Sequence, residues 1–335
     1  MNPGTVNWRA LERLRRAFLD GSAGARDYWR NEEDLASYDA TFAQRIGWKW
    51  DYVLAELALR GWEPPAGELL DWGCGSGIAH RACLDHWGTQ RISALWVADR
   101  SPLATRYAAA RARAKYLALA VNTGVPTAPA VLLLSHVLTE LEPAAVERLL
   151  ELAAKATTVL WVEPGTHEAS RALIAARERL SPKFNLVSPC PHQSACGMLA
   201  PGNERHWCHH FATPPPEVFT DGDWARFANL MEVDLRSLPL SFLVLDRRPV
   251  APLPAGTMRI IGRPRVNKAD ARLFLCSETD LGESKLARRA LPAAFQAIKK
   301  GECAPWQVVR REGNAIMAME ALHGGKLPCQ PPAKA

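Results

Sequence analysis

Three cysteines crowd a short, proline-containing stretch: Cys190-Pro191-His192-Gln193-Ser194-Ala195-Cys196, then His206-Trp207-Cys208-His209-His210-Phe211. They follow a C-x5-C-x11-C spacing, and the segment has so few aliphatic side chains that the thiols have little core to join. Clustered thiolates in such a place point to a metal site, here one ligand short of four. Cys276, at the end of the apolar run 272–275, is the candidate fourth ligand. Zinc more often takes cysteines paired two residues apart, and no such pair occurs, which leans the reading towards an iron–sulfur cluster. His192, His209 and His210 keep a mixed Cys/His zinc site open. Cys74, Cys83, Cys303 and Cys329 read as non-ligands, Cys74 because it stands inside a glycine-rich turn.

That turn is the second chemical signal. Leu69-Leu70-Asp71-Trp72-Gly73-Cys74-Gly75-Ser76-Gly77-Ile78 joins a strand to a helix through Asp-x-Gly-x-Gly-x-Gly. Glycines let the backbone approach a ligand where a Cβ would collide, and the free N–H groups of the helix 78–87 then stand beside it. A second apolar run, Ala94 to Ala98, ends at Asp99, twenty-two positions past Gly77, where a βαβ unit places a carboxylate on a ribose diol. The spacing resembles the S-adenosylmethionine (SAM) site of class I methyltransferases more than a nicotinamide or flavin site. Asp71, Gly73, Gly75, Gly77 and Asp99 are the candidate cofactor residues. Ser135 and His136 join them because the strand 130–135 ends there, and strand carboxyl ends face the ligand crevice. His136 suits a structural hydrogen bond as well as a catalytic base, so no catalytic residue is assigned.

The elements that must hold these groups alternate strand and helix from Glu68: helices at 78–87, 104–119, 144–154 and 169–180, strands at 94–98, 130–135 and 158–162. This order predicts an α/β fold with a parallel sheet covered on both faces. Two helical regions precede it, 5–20 with Thr5 as N-cap and Gly21 as terminator, and 34–60, closed by Pro64 and Pro65. The strand-like runs 241–246 and 258–261 suit a final antiparallel pair of the same sheet. The predicted organisation is a helical region over 1–62, a methyltransferase-like core over 63–185 and 241–265, a cysteine-rich insertion over 186–240, a basic extension over 266–323, and a disordered tail over 324–335. No apolar run approaches the roughly 18 residues of a membrane span, and residues 1–16 lack the apolar core of a secretory signal. A cytoplasmic location is the expectation, with cysteines as thiols or metal ligands rather than disulfides.

The net charge of +6 is unevenly placed: fourteen Lys/Arg face five Asp/Glu between Arg247 and Arg311. Clustered cations gain affinity for a phosphate backbone by releasing its counterions, so nucleic acid is the expected partner of this side. Arg263, Arg265, Lys268 and Arg272 are the candidate contacts.

Taken in order, Asp71-x-Gly73-x-Gly75-x-Gly77, Ser135-His136-x-Leu138-x-Glu140-Leu141, Glu163-Pro164-Gly165-Thr166, Pro189-Cys190-Pro191-His192, Trp207-Cys208-His209 and Cys276 resemble one family. It is the methyltransferase-like family associated with the small ribosomal subunit, known in bacteria and as mitochondrial ribosome assembly factors, and the resemblance runs from about Tyr38 to Cys276. It implies a SAM-type fold, a [4Fe-4S] cluster held by Cys190, Cys196, Cys208 and Cys276, and binding to small-subunit ribosomal RNA during assembly. Two departures stand out: His210 adds a histidine after Cys208, and residues 211–241 lack a basic, strand-like pattern. The family leaves open whether methyl transfer occurs, so a non-catalytic RNA-binding factor that uses SAM and the metal site structurally is the alternative.

Overall fold

The computed structural model describes residues 6–20 and 27–322. Thr5, Gly21, the tail from 324 and Cys329 lie outside the described residues. The chain divides into two compact units: Met1–Leu54 with Glu63–Glu163 and Pro214–Leu238, and Ala55–Trp62 with Pro164–Thr213 and Pro239–Ala335.

In the first unit, strands β1 (Gly67–Trp72), β2 (Ile92–Ala98), β3 (Ala120–Thr123), β4 (Val131–Ser135) and β5 (Thr158–Pro164) lie in the order β3-β2-β1-β4-β5. Every pair is parallel, with Leu70 opposite Trp96 on one side and Leu132 on the other. Val131 to Leu134 are fully buried, as a central strand with both faces covered requires. The sheet reverses direction from β1, and the turn after β1 sits at that switch point. This is the doubly wound class I methyltransferase arrangement.

The helix Trp8–Leu19 is capped by Asn7, whose side chain accepts from Ala10 N at 3.0 Å. The region 34–60, expected as one helix, is two: Glu32–Asp39, capped by Asn31, and Phe42–Leu59. The break falls at Thr41, whose hydroxyl donates to Ser37 O at 2.8 Å and competes with the helical ladder. Leu11, Leu14, Trp29 and Leu35 pack against Trp224, Phe227 and Met231 of the helix Gly222–Met231. Residues 214–238 therefore group with the first unit and not with the cysteine segment before them. Among the described residues no helix is long and apolar enough to cross a membrane.

The second unit holds β6 (Asn185–Ser188), β7 (His210–Ala212) and β8 (Leu238–Asp246), with β8 antiparallel to β6 and also paired to β7. Here the structure corrects the reading of 258–261. That run lies in β9 (Thr257–Val266), which does not pair with 241–246 but closes a barrel with β10 (Asp270–Cys276), β11 (Leu281–Ala287), β12 (Trp306–Glu312) and β13 (Ala315–Ala321). Met258 and Ile260 are drawn into that barrel's core beside Leu273, Leu275, Leu286 and Phe295, a larger apolar partner than one strand edge provides. The barrel order is β10-β11-β13-β12-β9, the helix Pro292–Lys300 intervenes between β11 and β12, and β11 runs parallel to β13. Five strands in this order with a helix after the third make an OB-fold. The region read as a basic extension is thus most of a folded barrel.

Candidate functional site

The glycine turn of the first unit assigns different work to each glycine. All three have positive φ: 69° at Gly73, 50° at Gly75 and 84° at Gly77. A Cβ on Gly73 would lie 2.6 Å from Val137 Cγ1, and one on Gly77 would lie 2.3 Å from His80 Cε1, so these two permit close packing of the protein on itself. A Cβ on Gly75 would meet no protein atom within 4 Å, which makes Gly75 the open face of the turn. Asp71 is fully buried, its Oδ2 2.7 Å from His80 Nδ1 and 3.3 Å from His80 N. It fixes the start of the helix Ile78–Trp87 from beneath the open face. Asp99, at the end of β2, accepts from Gly75 N through Oδ2 and from Ser101 N through Oδ1, each at 2.9 Å. Burial pushes its carboxyl upward. Each oxygen keeps a lone pair for a diol beside Gly75, so these residues fit an adenosyl cofactor.

At the end of β4, Ser135 Oγ accepts from Trp50 Nε1 at 3.0 Å. His136 has φ of 56°, uncommon for a residue with a side chain, and its Nε2 stands 3.4 Å from Lys49 Nζ. Backbone strain of this kind gathers at ligand sites. Burial, with Arg45 nearby, pushes Lys49 down to about 7. Burial and then Lys49 push His136 down. Glu163 at the end of β5 is pushed up to about 7 by burial, although Trp161 Nε1, Val137 N and Leu138 N all donate to its Oε1. Lys49 and Glu163 were not singled out from sequence as site residues. A cation on the polar side of a long helix reads as solvated surface, and only the fold buries it next to His136.

The second unit gathers the four cysteines. Burial first, and then the fields of Cys190, Cys196 and Cys276, push the Cys208 thiol up. Burial and then Cys190 and Cys196 do the same to Cys276, and burial and Cys190 raise Cys196 to about 11. Cys196, Cys208 and Cys276 thus each lie in the field of another of the four. Among the described residues, no group of three or more His, Cys, Asp or Glu is placed to hold a metal ion. Donors surround the thiols: His192 Nε2 is 3.7 Å from Cys276 Sγ, His210 Nε2 is 3.6 Å from Cys208 Sγ, and Arg177 lies against Cys190. The Cys208 loop is pinned by Ser170 and Ser241, whose hydroxyls both donate to its carbonyl at 2.7 Å, and by Trp207 Nε1, which donates to Gly165 O at 3.0 Å. Cys303 belongs to the barrel core, while Cys74 and Cys83 are buried in the first unit.

Of the basic candidates, Arg263, Arg265 and Arg272 line one groove on the barrel. Lys268 stands in the β9–β10 turn. Glu283 pairs with Arg265 and, at 3.0 Å, with Arg272.

A doubly wound methyltransferase-type unit with an open glycine turn, together with a second unit that carries a four-cysteine segment and an OB-fold barrel, defines a methyltransferase-like protein with an added barrel. The chain belongs to the family described as mitochondrial small ribosomal subunit Rsm22, whose model matches residues 51–303. No curated protein matches it in sequence. Solved structures similar to it include an RNA methyltransferase candidate from Pyrococcus horikoshii, 10% identical over 61% of this chain and 80% of that one, with a TM-score of 0.35. A tRNA methyltransferase candidate from Streptococcus pneumoniae, solved with SAM, is 11% identical over 59% and 74%, with a TM-score of 0.33. A methyltransferase candidate from Haloferax volcanii, in complex with its activator, is 16% identical over 67% and 100%, with a TM-score of 0.35.

Proposed function

We propose that the protein is a SAM-binding, methyltransferase-like factor that acts on small-subunit ribosomal RNA during assembly of the small ribosomal subunit. Membership of a small-subunit family supports the partner. The observation that carries the cofactor is Gly75: its open face lies over a backbone N–H bonded to Asp99, so a purine nucleoside can lie against backbone while its ribose hydroxyls reach the carboxylate. Ser135 and His136 stand at the carboxyl end of β4, next to β1, where a ligand crevice of such a sheet would open.

SAM would supply an activated methyl group. Lys49, pushed down to about 7 by burial, and His136, pushed down by burial and then by Lys49, are the groups that would accept a proton from a nucleophile there. The alternative, a non-catalytic factor, draws on the absence of an Asn-Pro-Pro-Tyr-like motif at Ser135-His136-Val137-Leu138, so catalysis would rest on Lys49 and His136 alone.

The donor set of Cys190, Cys196, Cys208 and Cys276 would suit a [4Fe-4S] cluster: four soft sulfur ligands, with Arg177 against Cys190, His210 beside Cys208 and His192 beside Cys276 to hydrogen-bond the sulfurs. The cluster's role is structural, tying the segment 190–208 to β10. Zinc remains the alternative occupant. The protein works where small subunits are built, which is the cytoplasm in a bacterium and the matrix in a mitochondrion.

Crosslinking to RNA in cells followed by sequencing tests the partner, and calorimetric titration with SAM tests the cofactor. Enrichment of small-subunit ribosomal RNA together with saturable SAM binding is the expected result. Crosslinks spread over transfer and messenger RNA, or no heat on titration, would overturn it.

A further inference from the structure

β10 alternates between two environments. Ala271, Leu273 and Leu275 enter the barrel core, while Arg272, Phe274 and Cys276 project from the outer face. That face, with its neighbours on β9 and β11, forms one wall of a groove of about 690 Å³ whose other wall is the chain around 203–209. The size suits a small ligand or a few linked units of a polymer. Strands two and three of an OB-fold are where such barrels take oligonucleotides or oligosaccharides, and here those strands are β10 and β11.

The lining decides between the two. Arg205, Arg263, Arg265 and Arg272 face one acid, Glu283, so the groove carries a clear excess of positive charge. Sugars have hydroxyls to satisfy and no charge for four guanidiniums, whereas a phosphodiester chain has one charge per unit. The groove also offers flat rings. His206 stacks on Phe274 with centroids 4.6 Å apart and planes at 29°, and Trp207 stacks on His209 at 4.7 Å and 22°. Base faces are free to stack on such rings only where the strand is unpaired, because a duplex hides them between neighbouring bases.

The geometry points to a single-stranded RNA site on the barrel, in which unpaired bases stack on the His206–Phe274 and Trp207–His209 pairs and the backbone runs along Arg205, Arg263 and Arg272. This deepens the proposed function and rests on it for the choice of RNA. The substrate class it adds is an unpaired segment of small-subunit RNA, read by shape and stacking rather than by base edges.

The test is fluorescence anisotropy on the full chain with a labelled ten-nucleotide single-stranded RNA, the same strand in a duplex, and its DNA counterpart. The single strand should bind at least about tenfold more tightly than the duplex, with affinity falling steeply with salt. Phe274→Ala should weaken it about tenfold, the scale of one lost base stack, and Phe274→Trp should restore it. Because Phe274 also packs on Met198 and Ile261, the exposed Arg205→Glu is the second variant, and it should weaken binding and flatten the salt dependence. Equal binding of duplex and single strand, or full affinity in both Phe274→Ala and Arg205→Glu, would overturn the site. Tighter binding of the DNA strand would overturn the assignment to RNA. Wild-type protein that sediments with small ribosomal subunits yet ignores the oligonucleotide sinks the groove and spares the assembly reading. The opposite result does the reverse.

Discussion

Replacing single glycines of the β1 turn by alanine separates ligand contact from folding. At Gly75 a methyl group meets no protein atom within 4 Å, so the folding cost is only the left-handed backbone at φ 50°. That costs about 1–2 kcal/mol, or roughly 2–8 °C in Tm for a unit of this size. The same methyl occupies the space where a nucleoside would touch the backbone, so SAM affinity should fall by at least about tenfold, 1.4 kcal/mol. Gly77→Ala reverses the balance. Its Cβ would stand 2.3 Å from His80 Cε1 and would push His80 off its 2.7 Å bond to Asp71. Overpacking of about 1–3 kcal/mol then adds to the backbone term, for a total of roughly 2–5 kcal/mol. Calorimetric titration with SAM and thermal melting of both variants provide the assay. The reasoning fails if Gly75→Ala binds SAM within twofold of wild type, or if it melts as low as Gly77→Ala.

Three other outcomes follow from the same geometry. Lys49 falls from 10.5 to about 7 on folding, so between those pH values the unfolded chain holds a proton that the folded chain has released, and unfolding free energy should rise with pH. Denaturant titrations from pH 7 to 9.5 should show that rise in wild type and a flatter one in Lys49→Met; equal slopes would mean that the lysine is not buried. Arg259, itself buried, donates to both oxygens of buried Glu56 at 2.5 and 2.8 Å, and Arg259→Leu should cost about 3–5 kcal/mol because it strands the carboxylate. Adding Glu56→Gln to that variant should recover part of the loss, and an additive double mutant would refute the pairing. Protein purified without oxygen should be brown with about four irons per chain, and Cys276→Ser should lose both iron and colour; colourless protein with one zinc would refute the iron–sulfur assignment and leave the four ligands standing.

The parts of the fold that were legible are those with local signatures. Asp71 to Gly77 and Asp99 lie in one βαβ unit, and parallel strands buried on both faces, such as 131–134, are continuous apolar runs whose meaning depends on no distant partner. The barrel was not legible because its strands are half-exposed and find their partners at long range. Residues 258–261 were assigned to the sheet because a short apolar strand does not say which sheet it joins, and 272–275 was visible only as an apolar run beside Cys276. In β11 the run Leu281-Gly282-Glu283-Ser284-Lys285 has one apolar residue in five, and it is a strand only because β10 and β13 flank it. The titrating groups escaped for a similar reason. Nothing in Lys49 or Glu163 as residue types marks them, and burial by the fold is what moves each towards neutrality.

The cysteine site and the groove are not independent features of the second unit. Cys276 and Phe274 are two apart on β10 and so share its outer face, while Cys208 lies at the end of the chain segment that forms the opposite wall. Cys196, Cys208, Phe274, Cys276 and Leu281 all pack around Met198, Ile174 and Ile261, so the thiols and the stacking ring rest on one apolar patch. A metal group held by Cys190, Cys196, Cys208 and Cys276 would therefore add a further tie between the two walls of the groove. Without it, the segment 190–208 is retained by the serine and tryptophan hydrogen bonds around Cys208 and by Arg171, which donates to Met198 O, Asn203 O and His206 O. Gly262 N, which donates to His209 O at 2.8 Å, Ser194 Oγ, which donates to Glu278 Oε1 at 2.9 Å, and the stacking of His206 on Phe274 already tie this wall to the barrel. Removal of such a group should then leave the unit folded and loosen the groove proposed for RNA, which would make RNA binding a report on whether the cysteine site is filled.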